Sequence, residues 1–169
     1  LLVERNSETG ECLLLVKSAP VDFGTLDSAS VTNFGADRTG ISDSSEAFTD
    51  AADSLPRGGL VVIPPGKYIA EGLPIRDGLY YVGAGIGKAD GSTGTQITLP
   101  AVPSTHMFAW DGATTGYGGG VSGCYLSGGL TTDYDCITLA GATVGSHRFL
   151  IEHNFIYGFR RGSSGSADA

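Results

Sequence analysis

The chain has 169 residues, 41% of them hydrophobic and 27 of them glycine, and a formal net charge of −8. That length fits one domain with a real core, and the hydrophobic share excludes a disordered Gly-rich tract. The acidic balance argues against nucleic acid or an anionic membrane as a partner, and no apolar run approaches the ~20 residues of a membrane-spanning helix.

Glycine is at roughly twice its usual share of about 7%, which with many Val, Ile, Leu and Tyr points to short strands and tight turns. No basic segment opens the chain at Leu1, so no signal peptide is visible. The missing initial Met, and a turn cut short at Gly162–Ala169, lead us to expect the opening piece of a longer protein. Cys12, Cys124 and Cys136 have neither disulfide-framework nor metal-knuckle spacing, and we expect free buried thiols, as in a protein made in a reducing compartment.

Leu1–Val3 and Cys12–Val16 flank the polar turn Asn6–Gly10, a hairpin signal. Ser18 to Ser30 reads as an extended linker broken by Pro20 and Gly24. Val31–Ala36 reads as a short strand ending in a Gly turn, and residues 37–42 as a polar stretch. Asp43–Glu46 resembles a capping box, with the Asp43 carboxylate expected to accept from the N–H three residues on. Ala47, Phe48, Ala51, Ala52 and Leu55 then make one helical stripe, stopped by Pro56 and Gly58-Gly59. From there the period changes. Leu60–Ile63, Tyr68-Ile69, Leu73–Ile75, Leu79–Val82 and Gln96–Leu99 read as strands separated by turns, with no helix between them, which excludes a doubly wound sheet.

Residues 101–169 show a gapless repeat of 30. It places Met107 on Ile137, Val121 on Ile151, Tyr125 on Phe155, Leu126 on Ile156 and Gly128 on Gly158. Ile151, Phe155 and Ile156 are expected to pack inside. A period of about 20–50 residues built of strands and turns indicates a β-solenoid, in which each coil buries the apolar face of the next.

At this point a resemblance can be given. Phe34-Gly35-Ala36, the acidic turn at Asp37 and Asp43, a helix from Ser45, Gly58-Gly59, the run Pro64–Tyr68 and Gly83-Ala84-Gly85 together resemble the opening of the pectate-lyase-like superfamily. Asn154 with Gly158-Phe159 is similar to one of its coil corners. Arg38 departs from the pattern, where the family often has Gly. The resemblance covers about residues 31–162. It implies an all-β fold: the N-terminal coils of a right-handed parallel β-helix with one capping α-helix, preceded by a small hairpin and linker. The domain boundary is placed between 29 and 30. The helix is expected to cover the open end of the first coil, with Asp37 and Asp43 as turn and cap residues.

Gly83–Gly87 imitates part of a dinucleotide loop, but no helix follows it, so it reads as a coil corner. Asp133 and Asp135 alternate on an extended segment, where they could face the same way as the two carboxylates of glycoside hydrolysis. Turn residues are the simpler account of that pair. Glu152 and His153 beside Asn154 read as a solvated face, with His153 a weaker candidate base. Trp110, Tyr117, Tyr125, Tyr134 and Tyr157 could form a platform for sugar rings, or in part the core. Arg148, Arg160 and Arg161 are the late basic group, suited to an acidic polysaccharide or a surface contact. His106, His147 and His153 lack metal-site spacing. No catalytic residue is assigned, and no cofactor or metal is expected.

The resemblance implies a viral tail spike or tail fibre: a homotrimeric adhesin on the virion tail that binds, and can depolymerise, host surface polysaccharide. Its N-terminal segment would contact other tail proteins. The alternative is an extracellular, secreted or surface, polysaccharide lyase, hydrolase or epimerase of the same fold.

Overall fold

A computed structural model describes residues 2–5, 12–15, 27–88, 93–110, 118–129, 133–138, 149–160 and 163–164. Strands β1 (Leu2–Arg5) and β2 (Cys12–Leu15) pair antiparallel with Leu2 opposite Leu15, the hairpin expected from the flanking apolar runs.

The rest is a solenoid of short strands. In chain order they are β3 (Ser28–Ser30), β4 (Thr39–Asp43), β5 (Gly59–Ile63), β6 (Gly66–Ile69), β7 (Leu73–Ile75), β8 (Leu79–Gly83), β9 (Thr95–Thr98), β10 (Phe108–Trp110), β11 (Gly119–Ser122), β12 (Cys124–Ser127), β13 (Ile137–Thr138), β14 (Phe149–Glu152), β15 (Phe155–Tyr157) and β16 (Ser163–Ser164). From β5 on, every third strand returns to the same sheet. The three sheets run β3-β5-β8-β11-β14, β4-β6-β9-β12-β15 and β7-β10-β13-β16, and all their pairings are parallel. A parallel partner cannot be reached by a tight turn, and each corner sends the chain on to the next sheet. Each strand therefore finds its backbone partners one coil above and one coil below. This is the parallel β-helix, right-handed as parallel crossovers are.

Its interior is built from ladders of like positions. Ala29, Val61, Tyr81 and Val121 stack in the first sheet, Tyr68, Ile97, Leu126 and Ile156 in the second, and Leu73, Phe108 and Ile137 in the third. All but Ile156 are buried. Two tyrosines inside keep their hydroxyls satisfied by donating to carbonyls, Tyr81 to Pro74 at 2.8 Å and Tyr68 to Pro64 at 3.0 Å. Tyr81 also meets Phe108 edge-on, with ring centroids 5.2 Å apart.

Helix α1 (Ser45–Asp53) follows the stripe: Ala47, Phe48, Ala51, Ala52 and Leu55 are all buried. Phe48 meets Tyr68 edge-on at 5.7 Å, and the helix packs on β3, β5 and β7, so it covers the end of the first coils as expected.

Several expectations shift in detail. Val31–Phe34 is a 3-10 helix closed by Gly35 in the left-handed region (φ 91°), and the strand precedes it at Ser28–Ser30, inside the expected linker. The polar stretch after Asp37 is strand β4. Asp43 accepts from Ser45 two residues on, through both N–H and Oγ, because Ser44 and not Asp43 stands at the helix cap. The repeat holds at 30 in two sheets, but Phe108, not Met107, pairs with Ile137, a separation of 29. Strand register alternates faces, so a gapless alignment cannot follow a connection that differs by one residue. Phe155 pairs with Tyr125 as aligned, yet both lie on the outer face. They stack at 5.0 Å, and Phe155 is exposed, because the inward position of that strand pair belongs to Leu126 and Ile156. Ile151 aligns with the buried Val121 but is itself exposed.

Candidate functional site

The outer face of the sheet β3-β5-β8-β11-β14 carries two rows of side chains. Register sets them: Ser28, Leu60, Tyr80, Gly120, Leu150 in one row, and Ser30, Val62, Val82, Ser122, Glu152 in the next. Water-facing strands usually alternate polar residues outward. Here Val62, Tyr80, Val82 and Leu150 are 37%, 36%, 36% and 49% exposed, an apolar strip on an outer face.

Gly120 interrupts that strip. It leaves a cleft of about 220 Å³ between Tyr80 on one side and Leu150 on the other, with Ser122 and Glu152 at one edge. A Cβ at position 120 would lie 3.2 Å from Tyr80 Cδ1, 3.1 Å from Leu150 Cβ and 2.7 Å from the Leu150 carbonyl. Only a residue without a side chain keeps this notch open. Two strand spacings of about 4.8 Å separate the walls, so they stand about 10 Å apart at the backbone.

Sequence reasoning singled out only Glu152 of this group. Tyr80, Gly120 and Leu150 come from three different coils, and only the register unites them. The available signal was Gly119-Gly120 inside a strand pattern, which marks a close approach to the backbone.

The other candidates fall elsewhere. Asp133 and Asp135 do not share an exposed face: Asp133 is exposed and Asp135 is 1% exposed. Arg160 grips Asp135 with Nε and Nη2 at 3.1 and 3.3 Å. That hydrogen bonding, with the Asp135 charge, raises the Arg160 pKa. His106 Nδ1 accepts the Asp135 N–H at 2.9 Å, and the Tyr134 ring meets His106 edge-on. Residues 106, 135 and 160 come from successive coils, so the cluster staples the turns together and Asp135 is not an available acid or base. Arg160 thus spends its guanidinium on this ion pair while its side chain stays half exposed, and Arg148 and Arg161 lie outside the described residues, as do Tyr117 and His147.

Trp110 and Tyr134 are half-buried against the core, whereas Tyr125 and Tyr157 lie with Phe155 on the outer face of the sheet β4-β6-β9-β12-β15, where Tyr125 stacks on Phe155. His153 occupies a corner in the left-handed region (φ 52°), where Gly123 (φ 70°) stands one coil earlier. Beside it, Asn154 Nδ2 donates to the Val121 carbonyl at 2.7 Å while Oδ1 accepts the Cys124 N–H at 2.9 Å, tying two coils at the corner.

Asp37 is a turn residue. Its carboxylate accepts from the N–H groups of Thr39, Ile41 and Ser42 and from the Thr39 hydroxyl. Those bonds, the Thr39 hydroxyl first, hold its pKa far below the usual 3.8. Gly83–Gly87 is a coil corner, with the Gly85 N–H donating to the Gly123 carbonyl. Cys124 and Cys136 are free and buried, and burial pushes the Cys124 thiol up to about 12. Among the described residues no group of His, Cys, Asp or Glu is placed to hold a metal ion, and no helix is long and apolar enough to cross a membrane.

Comparison with known proteins agrees with this architecture. The A-module of the mannuronan C-5 epimerase AlgE6 of Azotobacter vinelandii superposes with a TM-score of 0.65 at 25% identity, over 81% of this chain and 41% of that one. ORF18 of Geobacillus virus E2 gives 0.58 at 22% identity, over 74% and 25% of the two chains. An iota-carrageenase in complex with iota-carrageenan fragments gives 0.59 at 16% identity, over 77% and 29%. The chain thus spans well under half the length of these proteins. Among curated proteins none matches the sequence. The family model described as rhamnogalacturonase A/epimerase, pectate lyase-like, matches residues 28–118, from the first solenoid strand to the threshold of β11. With the parallel coils, the covering helix and a match over more than half of its length, the chain belongs to this pectate-lyase-like family.

Proposed function

We propose that these coils bind a polysaccharide on the outside of the β-helix, as the opening part of a viral tail spike or tail fibre adhesin. The observation that carries the reading is the cleft over Gly120. An exposed tyrosine and leucine face each other across it, and a hydroxyl and a carboxylate stand at its edge. A pyranose ring offers the complement, with apolar C–H faces and a rim of hydroxyls. The solved relatives named for mannuronan epimerisation and for carrageenan binding support a polysaccharide as the ligand class. A hairpin ahead of the solenoid suits an attachment segment that contacts other tail proteins, with three copies forming the spike. The fold is also one that a virus protein uses.

Two measurements test this. Binding of host surface polysaccharide to the chain should be lost in Tyr80→Ala while the far-UV spectrum is kept. The native assembly should resolve under denaturation into subunits much larger than 17.3 kDa, in threes, on a larger particle. Unchanged glycan binding in Tyr80→Ala would remove the cleft from the reading, and a folded native monomer of this length would remove the tail spike.

A second reading, an extracellular polysaccharide lyase, hydrolase or epimerase, is supported by the likeness to the AlgE6 module. Glycosidic cleavage of the usual kind needs two carboxylates across the bond. The lining of the cleft supplies one, Glu152, so this reading places the chemistry on other coils.

A further inference from the structure

We infer that the Asp37 carboxylate guards the outer edge of the first coil, and that without it a second copy of the chain adds to this edge, strand against strand. Among the described residues β4 is the end strand of its sheet. It pairs with β6 on one side, where the Lys67 N–H donates to the Arg38 carbonyl at 2.9 Å and the Ser44 N–H donates to the Ile69 carbonyl at 2.8 Å. The other side of an end strand presents a row of N–H and C=O groups, a ready template for one more strand. Thr39, Ile41, Ser42 and Asp43 are all exposed, Ile41 at 82%.

The donors of β4 are already taken. Asp37 Oδ1 accepts the Thr39 N–H at 2.8 Å and the Thr39 hydroxyl at 2.6 Å, while Oδ2 accepts the N–H groups of Ile41 and Ser42 at 3.1 and 2.7 Å. Three of the five amides of β4 thus end on one side chain. An incoming strand would have to displace that carboxylate with neutral carbonyls, and a hydrogen bond to a charged acceptor is the stronger kind. The negative charge also meets the incoming carbonyl oxygens with the wrong sign. Asp37 is itself held in place, since its N–H donates to Ser44 Oγ at 3.0 Å and so ties the two ends of β4 together. The same bonds that hold its pKa far below 3.8 keep the guard charged at neutral and mildly acidic pH.

Two devices then share the closing of this end. Helix α1 packs on β3, β5 and β7 and covers apolar surface there. The edge of β4 offers backbone groups instead, and a charge answers those. The register shift between Thr39 and Asp43 serves the same purpose, because a bulge bends an edge strand and lets its N–H groups converge on one carboxylate. The occupant that fits the unguarded edge is a second copy. Ile41 stands at the centre of Thr39–Asp43, so a two-fold axis there lays β4 antiparallel to its own copy. Each copy then supplies the carbonyls that the other's N–H groups lack, and the exposed Ile41 side chains cover each other.

The test compares the full chain with its Asp37→Ala variant by sedimentation velocity over a wide range of concentration, with hydrogen exchange at residues 39–42 read by mass spectrometry. The unaltered chain should keep one mass throughout. Dilute Asp37→Ala should exchange these amides about ten-fold faster or more, the usual worth of hydrogen bonds to a charged group. On concentration it should double the mass of the unaltered particle and regain protection at 39–42. Ile41→Lys added to Asp37→Ala should return the single mass, because like charges would then face each other across the two-fold axis. Asp37→Asn, which keeps one acceptor oxygen for Thr39, is measured alongside and read by the same outcomes where the alanine variant loses its native far-UV spectrum. A single mass at every concentration without the carboxylate would overturn the inference. So would a doubled mass with residues 39–42 still exchanging fast, or one that persists with Ile41→Lys, since either places the contact elsewhere.

Discussion

Ile97 and Ile156 occupy the same rung position in one inward ladder, yet truncating them should have very different costs. Ile97 is fully buried between Tyr68 and Leu126, which are fully buried themselves. Ile→Ala removes three carbons, worth about 2.4 kcal/mol of transfer at about 0.8 per carbon. The backbone ladders on both sides hold the coils about 4.8 Å apart, so the void cannot close and adds a further kcal/mol or so. Ile97→Ala should therefore cost about 3–4 kcal/mol, a large part of the 5–15 kcal/mol that typically holds a domain. At about 2–4 °C per kcal/mol for this size, the melting midpoint should fall by about 6–16 °C. Ile156 sits at the last described rung, only half-buried. Water fills the space its side chain leaves, so Ile156→Ala should cost about 1 kcal/mol. Thermal unfolding followed by circular dichroism, with urea midpoints as a check, measures both. Equal costs would refute the ladder, because they would mean that stacking from both sides contributes nothing.

Other expectations follow from single contacts. Asp37 has a depressed native pKa, so the unfolded chain binds more protons as pH falls below 3.8, and the stability from this turn is full above 3.8 and lost on the way down to the native pKa. Asp37→Asn should flatten the pH dependence of the melting midpoint below pH ~4, and an unchanged slope would count against the turn. Asn154→Ala leaves the Val121 carbonyl and the Cys124 N–H without their partner, and denaturant titration should register about 1–3 kcal/mol. His153→Gly relieves a left-handed corner and should raise stability by up to about 1 kcal/mol in the same assay. Cys124 and Cys136 should resist iodoacetamide at pH 8 until the chain is unfolded, as read by mass spectrometry; fast labelling of the native chain would contradict their burial.

The sequence alone determined the kind of solid this is. Punctuation by Gly and Pro, short apolar runs without helices between them, one amphipathic helix ahead of Leu60 and a period near 30 each carry a local cause, and together they admit a β-solenoid. The hairpin, the buried stripe of α1, the free thiols and the turn role of Asp37 were legible for the same reason: each depends on neighbours within a few residues. What the tertiary structure decided is everything set by register between coils. The fold brings Tyr80, Gly120 and Leu150 into one row although 70 positions separate the first from the last, and it places Arg160 on Asp135. It also turns Phe155 outward. A sequence lists strands without saying how far each has slipped against the last. Since side chains alternate faces at every residue, a slip of one, like that between Met107 and Phe108, moves a residue between the core and the surface where a ligand would bind.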